Sequence, residues 1–448
     1  MSTAREAAFE VINRASTTKS YANILLPKVL RLGNLSAVDR GLATQLAYGV
    51  LRNKGTLDWI IGQYSDIVIK KINIKMLDIL RLGAYQIYYL DKVPDHAAVN
   101  ESVELSKKYF QQKKNHNFVN AVLRAISKNK KKIKFTPLKS DFANYLSVRY
   151  SHPRWMIDLM LKQYNKRTAE AICKANNRTP QLSLTVNTIR ISPEALFKNL
   201  KKKGYEASVS KVSTDSILLS KAGDVSKVFG YKEGLFFAQD ESANLVAHVV
   251  GAEKGQRVID CCAAPGGKTV HMAALMKNKG YIFASDISGA RLALLDNLRD
   301  RLNVRNVILL TIDARRLIKY VKRTVDKILV DAPCSGLGTL ARRADERWHK
   351  SYEQIQKLSK LQFEILDSLT TLVKKKGSLI YSVCTYTKEE TEDVCKKFLE
   401  AHPEFKVENI KPYLPTGIKA NSDYGIQLLP HHYQSDGMFI ARFIKEKK

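Results

Sequence analysis

Two cysteines, Cys334 and Cys384, and four acids, Asp260, Asp286, Asp313 and Asp331, stand where short apolar runs give out. A thiol attacks well only as its thiolate, so a reactive cysteine belongs in a polar turn rather than in a core. Both cysteines sit in such turns, Pro333-Cys334-Ser335-Gly336 and Cys384-Thr385-Tyr386-Thr387. The other four, Cys173, Cys261, Cys262 and Cys395, are read as small buried hydrophobes, the usual fate of an isolated cysteine. No pair has zinc-ligand spacing, so no metal site is expected. Six cysteines in 448 residues do not make a disulfide framework either.

The first acid opens the stretch Asp260-Cys261-Cys262-Ala263-Ala264-Pro265-Gly266-Gly267-Lys268-Thr269, which runs into the helical pattern Val270-His271-Met272-Ala273-Ala274-Leu275. This order is a strand, a tight loop and a helix N-terminus. Its glycines let a ligand approach the backbone, and the free helix N–H groups favour a polar group there. Gly266-Gly267 lacks the dinucleotide spacing G-x-G-x-x-G, and no earlier glycine completes a Walker A loop before Gly267-Lys268-Thr269. Asp286 follows near the ~20-residue offset at which a second-strand acid meets ribose hydroxyls. Asp313 ends the run from Val307, and Asp331 ends Lys327-Ile328-Leu329-Val330. Four acids at strand ends line the carboxyl edge of a parallel sheet, where open α/β folds bind ligands. Together they favour S-adenosylmethionine over a phosphate group. Cys334 follows the fourth strand and Cys384 the fifth, and short right-handed connections predict that those two strand ends lie side by side.

A methyl donor beside two cysteines suits one reaction in particular. Carbon 5 of a pyrimidine is too weak a nucleophile to take a methyl group unaided. A thiolate added at carbon 6 places electron density at carbon 5, and a base afterwards removes the carbon-5 proton so that the thiol can leave. One thiolate, one proton acceptor and one carboxylate near the pyrimidine N3 edge suffice, with Lys268 as a cation beside the developing charge.

These groups need a frame. With 448 residues, 45% of them hydrophobic, the chain supports about three domains. Residues 1–135 read as an all-α domain. Apolar residues recur at helical spacing in Ala7, Ala8, Val11, Ile12 and in Leu42, Leu46, Ala47, Val50, Leu51, with further helices from Met76 to Tyr89, Val99 to Tyr109 and Phe118 to Ile126. The charge run Lys128-Asn129-Lys130-Lys131-Lys132-Ile133-Lys134 reads as a linker. Residues 136–230 read as a small α+β module that contacts RNA, and residues 231–448 as a Rossmann-like α/β domain. In the last, a long helix is expected from Tyr352 to Val373 and a fifth strand from Ser378 to Val383. A basic-aromatic loop is expected at Arg342-Arg343-Ala344-Asp345-Glu346-Arg347-Trp348. The excess of 74 Lys+Arg over 43 Asp+Glu, a net charge of +31, suits a nucleic acid better than a small neutral substrate. No signal-peptide core and no apolar run of about 18–20 residues is visible. The expectation is a soluble, cytoplasmic monomer with no membrane partner.

With these residues assembled, the chain resembles an RNA cytosine-C5 methyltransferase of the RsmB (Sun/Fmu) family over nearly its full length. The loop Asp260 to Thr269, Asp331-Ala332-Pro333-Cys334-Ser335-Gly336 and Tyr381-Ser382-Val383-Cys384-Thr385 carry the resemblance. Arg342-Arg343 with Asp345 and Arg347-Trp348, Ser151-His152-Pro153 and Asp436-Gly437-Met438-Phe439 agree with it. Asp39-Arg40 with Tyr48-Gly49-Val50-Leu51-Arg52, and Phe118-Val119-Asn120-Ala121-Val122-Leu123-Arg124, resemble a NusB-like RNA-binding domain. The resemblance implies a class I S-adenosylmethionine-dependent methyltransferase acting on 16S ribosomal RNA during small-subunit assembly. It implies Cys384 as the nucleophile on carbon 6, Cys334 as the cysteine that aids proton removal and product release, and Asp331 as the residue that holds the cytosine. Cys262, Ala263, Ala264, Pro265, Gly266, Gly267 and Lys268 would bind S-adenosylmethionine with Asp286 and Asp313, and Asp331 would border that site. Val383 stands where the family commonly has Thr, and Met438 where it more often has Phe. Two other readings are a DNA cytosine methyltransferase attacking through Cys334, and an RNA-binding assembly factor without chemistry. Cys384 and the basic helical domain count against the first; both cysteines and all four acids count against the second.

Overall fold

The computed structural model describes residues 3–18, 20–135, 141–220 and 223–446. The chain condenses into two compact units, Met1–Arg178 with Leu340–Lys350, and Thr179–Thr339 with Ser351–Lys448.

The first unit is helical: α1 (Ala4–Thr17), α2 (Ala22–Leu32), α3 (Ala37–Gly62), α4 (Ile74–Tyr89), α5 (Asp95–Tyr109), α6 (Lys113–Asn129), α7 (Phe142–Tyr150), α8 (Arg154–Gln163) and α9 (Lys166–Asn176). The apolar stripes close on one another as their spacing requires, with Val11, Ile12, Leu46, Ala47, Val50 and Leu123 almost wholly buried. Ser36 caps α3 by accepting the Asp39 N–H, and Thr3 forms a capping box with Glu6 at α1. Here the structure corrects the linker expected at residues 128–134. The apolar face Val119, Val122, Leu123, Ile126 carries α6 on to Asn129, and a 3-10 turn, Lys130–Lys132, follows. Lys130 is anchored on Asp95 at 2.8 Å.

The stretch 136–230, read as one small module, is shared between the units. Helices α7 to α9 lie in the first; a four-stranded antiparallel sheet lies in the second. That sheet has the order β2-β3-β1-β4, from β1 (Leu182–Val186), β2 (Glu206–Val209), β3 (Ser216–Ser220) and β4 (Phe236–Ala238), and α10 (Pro193–Lys202) packs on it.

The main sheet of the second unit has eight strands. A parallel set, β5 (Arg257–Asp260), β6 (Tyr281–Asp286), β7 (Val307–Thr311), β8 (Val325–Asp331) and β9 (Val373–Val383), is followed by β10 (Phe405–Val407), β11 (Gly425–Leu428) and β12 (Met438–Lys445). The order is β10-β12-β9-β8-β5-β6-β7, with β11 also on β12, and the pairings of β12 are antiparallel. Helices α11 (Glu241–Val250), α12 (Gly267–Leu275), α13 (Gly289–Leu302), α14 (Tyr352–Leu369) and α15 (Glu392–Ala401) complete it. The chain passes from β5 out to β7 and then returns to β8 on the other side of β5. That reversal opens a crevice at the carboxyl ends of β5 and β8. The helix expected to reach Val373 instead ends at Leu369, and Val373 opens β9. Leu366, Leu369, Leu372 and Val373 are all buried, so the apolar run continues through the change and periodicity alone does not mark it.

Candidate active site

Register carries the acids and cysteines to one edge. In the β8–β9 ladder Asp331 stands opposite Ser382, and the two chains then run on to Cys334 and Cys384. The two sulfurs lie 3.3 Å apart. Asp331 is clamped from two sides: Lys268 Nζ donates to Oδ2 at 2.7 Å and the Ser382 hydroxyl donates to Oδ1 at 2.8 Å. Burial works against the charge of Lys268, yet Asp331 and the nearby Cys384 sulfur more than offset it and hold the amine above the usual lysine range. The Cys334 thiol is pushed well up, by its hydrogen bond with Cys384, by burial, and by the charges of Cys384 and Glu390. A thiol so placed gives up its proton reluctantly.

The loop between β5 and α12 lines the crevice. Gly266, at φ 110°, turns the chain into α12 in a conformation that L side chains rarely adopt, and a Cβ there would strike Leu295. A Cβ on Gly267 would press on the Gln239 side chain. Asp260 is buried, accepts the Thr269 hydroxyl at 2.7 Å, and has its carboxyl pushed up to about 7 by that burial; its other oxygen has no partner. A cavity of about 480 Å³ is lined by Cys262, Ala263, Ala264, Pro265, Gly266, Gly267, Lys268 and Asp331 of the expected set. Such a volume is ordinary for a small-molecule cleft, about 300–1,000 Å³. Asp286 and Asp313 do not line it. Asp286 accepts the Ala264 N–H at 3.2 Å from behind the loop, and Asp313 turns to Arg315 at 2.8 Å. Tyr231, Gln239, Asn297 and Arg301 also line the cavity, and the sequence reading did not single them out. Gln239 directly precedes Asp240, the N-cap of α11, a position with no chemical signature of its own in the sequence. Arg301 sits in the last turn of α13, and nothing in the sequence marks it.

Three family models match: "NusB family" over residues 2–128, "Methyltr_RsmF/B-like, ferredoxin-like domain" over 152–226, and "16S rRNA methyltransferase RsmB/F" over 247–444. The probable ribosomal RNA small subunit methyltransferase B of Bacillus subtilis is 34% identical over 99% of this chain and 98% of its own length. The chain belongs to the RsmB/F family of 16S rRNA methyltransferases. The ribosomal RNA small subunit methyltransferase B of Pseudomonas putida is 32% identical over 98% of both chains. Among solved structures, PH0851 matches with a TM-score of 0.82 at 25% identity, over 99% of this chain and 98% of that one. A methyltransferase homologue from Pyrococcus horikoshii gives 0.59 at 26% identity, over 67% of this chain and 97% of its own.

Two further residues of the RsmB/F motifs, Arg347 and Trp348, are bound within the helical unit. Arg347 is fully buried in the first unit, where its guanidinium reaches Ser151 O (3.0 Å), Asn177 Oδ1 (2.8 Å) and Asn176 O (3.1 Å); Trp348 Nε1 donates to Leu51 O. The loop Leu340–Lys350 is thus held inside the helical unit. Met438 is buried in β12, and Val383 is buried opposite Phe439. Cys261 donates to Leu329 O at 3.2 Å, and Cys173 and Cys395 are buried. Away from the crevice, Asp215 Oδ2 lies 3.0 Å from His271 Nε2 and 3.1 Å from His248 Nε2, a ligand type set that the sequence spacing hides. A metal-bound imidazole donates its other ring nitrogen to an acceptor, and the buried His271 Nδ1 has none. The arrangement suits a hydrogen-bonded clamp between the β2–β3 turn, α11 and α12. Among the described residues no helix is long and apolar enough to cross a membrane.

Proposed function

We propose that this chain methylates carbon 5 of a specific cytosine in 16S ribosomal RNA through a covalent bond between Cys384 and carbon 6. The single observation that carries this reading is the 3.3 Å cysteine pair beside the Lys268–Asp331 ion pair, at the edge of a Rossmann-like sheet. A DNA cytosine methyltransferase would attack through Cys334, and the raised Cys334 thiol disfavours it.

The loop from Cys262 to Lys268, with Asp331 at its border, fits S-adenosylmethionine: glycines that admit a close ligand, carboxylates for its polar groups, and a cavity of the right scale. When bound, S-adenosylmethionine supplies a methyl group on a sulfonium, the electrophile that carbon 5 requires. Asp286 supports this loop through Ala264; Asp313 has its place near the same edge. Asp331, held by Lys268 and Ser382, presents a carboxylate to the N3 edge of cytosine. The Cys384 thiolate forms the S–C6 bond, and the C5–C6 double bond yields its pair to carbon 5. Once Cys384 is bonded to carbon 6 and carbon 5 carries the methyl group, the Cys384 charge that opposed ionisation of Cys334 is gone. Cys334 then loses its own proton to water, and its thiolate takes the carbon-5 proton. The electrons of the C–H bond then restore the double bond and expel Cys384. Lys268 steadies the negative charge while it lies on the ring. The NusB-like helices and the +31 charge suit the RNA partner.

Bisulfite sequencing of 16S RNA from cells lacking this protein tests the reading. One 5-methylcytosine disappears, returns with the wild-type gene, and does not return with Cys384→Ala. Cys334→Ala leaves RNA covalently bound to the protein on a denaturing gel. Full methylation by Cys384→Ala sinks the assignment, and an unchanged 16S profile moves the substrate to another RNA.

A further inference from the structure

One buried charge at the site has no task in this scheme. Glu390 closes the 3-10 turn Lys388–Glu390 after Cys384, is wholly buried, and has no ion-pair partner among the described residues. A carboxylate survives such burial only if donors surround it. Here Oε1 accepts the Ser335 backbone N–H at 2.8 Å and Gln362 Nε2 at 3.1 Å, while Oε2 accepts the hydroxyls of Ser335 (2.5 Å) and Thr387 (2.9 Å). Gln362 also donates to Pro333 O at 3.0 Å, so the residues on both sides of Cys334 hang from this group. Thr385, the neighbour of Cys384, has its hydroxyl 2.9 Å from that of Ser335. The two cysteine turns are therefore joined through one carboxylate. A neutral amide would bring two N–H donors of its own into a position where four donors converge.

The charge also has a direction. Lys268 lies on the Cys384 side of the sulfur pair and Glu390 on the Cys334 side, where its charge works against ionising Cys334. We propose that Glu390 is a positioning residue that locks the cysteine turns at their working separation and, opposite Lys268, drives the negative charge of the pair onto Cys384. This rests on the cysteine roles given above.

Alkylation by iodoacetamide, followed cysteine by cysteine by mass spectrometry of the full-length protein across pH, tests it without any RNA. In the wild type Cys384 reacts first and Cys334 is spared. In Glu390→Gln the Cys334 profile moves to lower pH by about one unit, which is about a tenfold faster reaction at a fixed pH below its midpoint. Glu390→Asp, which keeps the charge, preserves the order. Cys173 and Cys395 stay unreactive in every folded variant and report any variant that fails to fold. A folded Glu390→Gln with the wild-type order and profile assigns Glu390 a packing role only and overturns the proposal. So does a folded Glu390→Asp in which Cys334 reacts as fast as Cys384. Methylation by Cys384→Ala bears on the cysteine roles alone, so the two failures are distinguishable.

Discussion

Lys268 keeps a charged amine in a nearly dry position because Asp331 sits 2.7 Å away, and Asp331 keeps its orientation because Lys268 and Ser382 both hold it. Neither side chain is free to serve the substrate alone. Under the proposed mechanism Lys268→Met removes the cation beside the ring and one of the two holds on Asp331, so it should lower the single-turnover methylation rate by about 10²–10³, the loss typical of one preorganised donor. A rate within tenfold of wild type, with saturating RNA and methyl donor, would show that Lys268 serves only the fold. At this scale much was legible. Cys334, Cys384, Lys268 and Asp331 were readable because strand ends and glycine turns have local signatures. Glu390 and Gln362 were not. Each is an ordinary polar residue in its own helix or turn, and only the fold brings them to Pro333 and Ser335. Arg347 shows the converse: its motif was visible, but the carbonyls that fix its role belong to residues far away in sequence.

At the scale of elements, the small sheet is tied to α11 and α12 by Asp215, and that tie has a pH signature. Burial would raise the Asp215 carboxyl, yet the imidazoles of His248 and His271 beside it outweigh that and hold it below the usual carboxylate range. Burial lowers His271, against the pull of Asp215. For His271 the unfolded chain takes a proton more readily than the folded one, so its contribution is intact above about pH 6.5 and declines as pH falls below that value. The depressed Asp215 contributes above about pH 4 and loses its share only below it, so both groups make acid destabilising. Hydrogen exchange over residues 206–220 should therefore speed up between pH 7 and 5 after correction for intrinsic rates, and His271→Gln should flatten that rise. An equal slope in the variant would remove the clamp from the account. The strand and helix pattern around this tie was legible, whereas the clamp was not: Asp215, His248 and His271 come from three separate elements. The end of α14 was hidden for another reason, since a buried apolar run looks alike in a helix and in a central strand.

For the whole molecule, the decisive quantity is charge. An excess of 31 positive charges spread over both units contributes nothing to the chemistry at Cys384, and it opposes compactness by self-repulsion. Under the proposed function that charge meets a polyanion. Each phosphate neutralised releases counterions, so log Kd for RNA should rise linearly with log salt. If about 6–10 phosphates are engaged, affinity for a 16S fragment should fall by about 10³–10⁵ between 50 and 200 mM salt. The measurement is a binding titration at four or five salt concentrations, run beside Cys384→Ala and an unrelated RNA of equal length. Cys384→Ala should keep the wild-type slope, because under the proposed mechanism the sulfur meets a base and not the backbone. The unrelated RNA should show a similar slope at weaker absolute affinity, because phosphate contacts carry no sequence information. A slope near zero would mean that the basic surface is ordinary solvated protein, and recognition would then have to rest on base contacts at the crevice alone. A steep slope with equal affinity for both RNAs would place the choice of cytosine in the chemical step, where Asp331 and the cysteine pair act, rather than in binding.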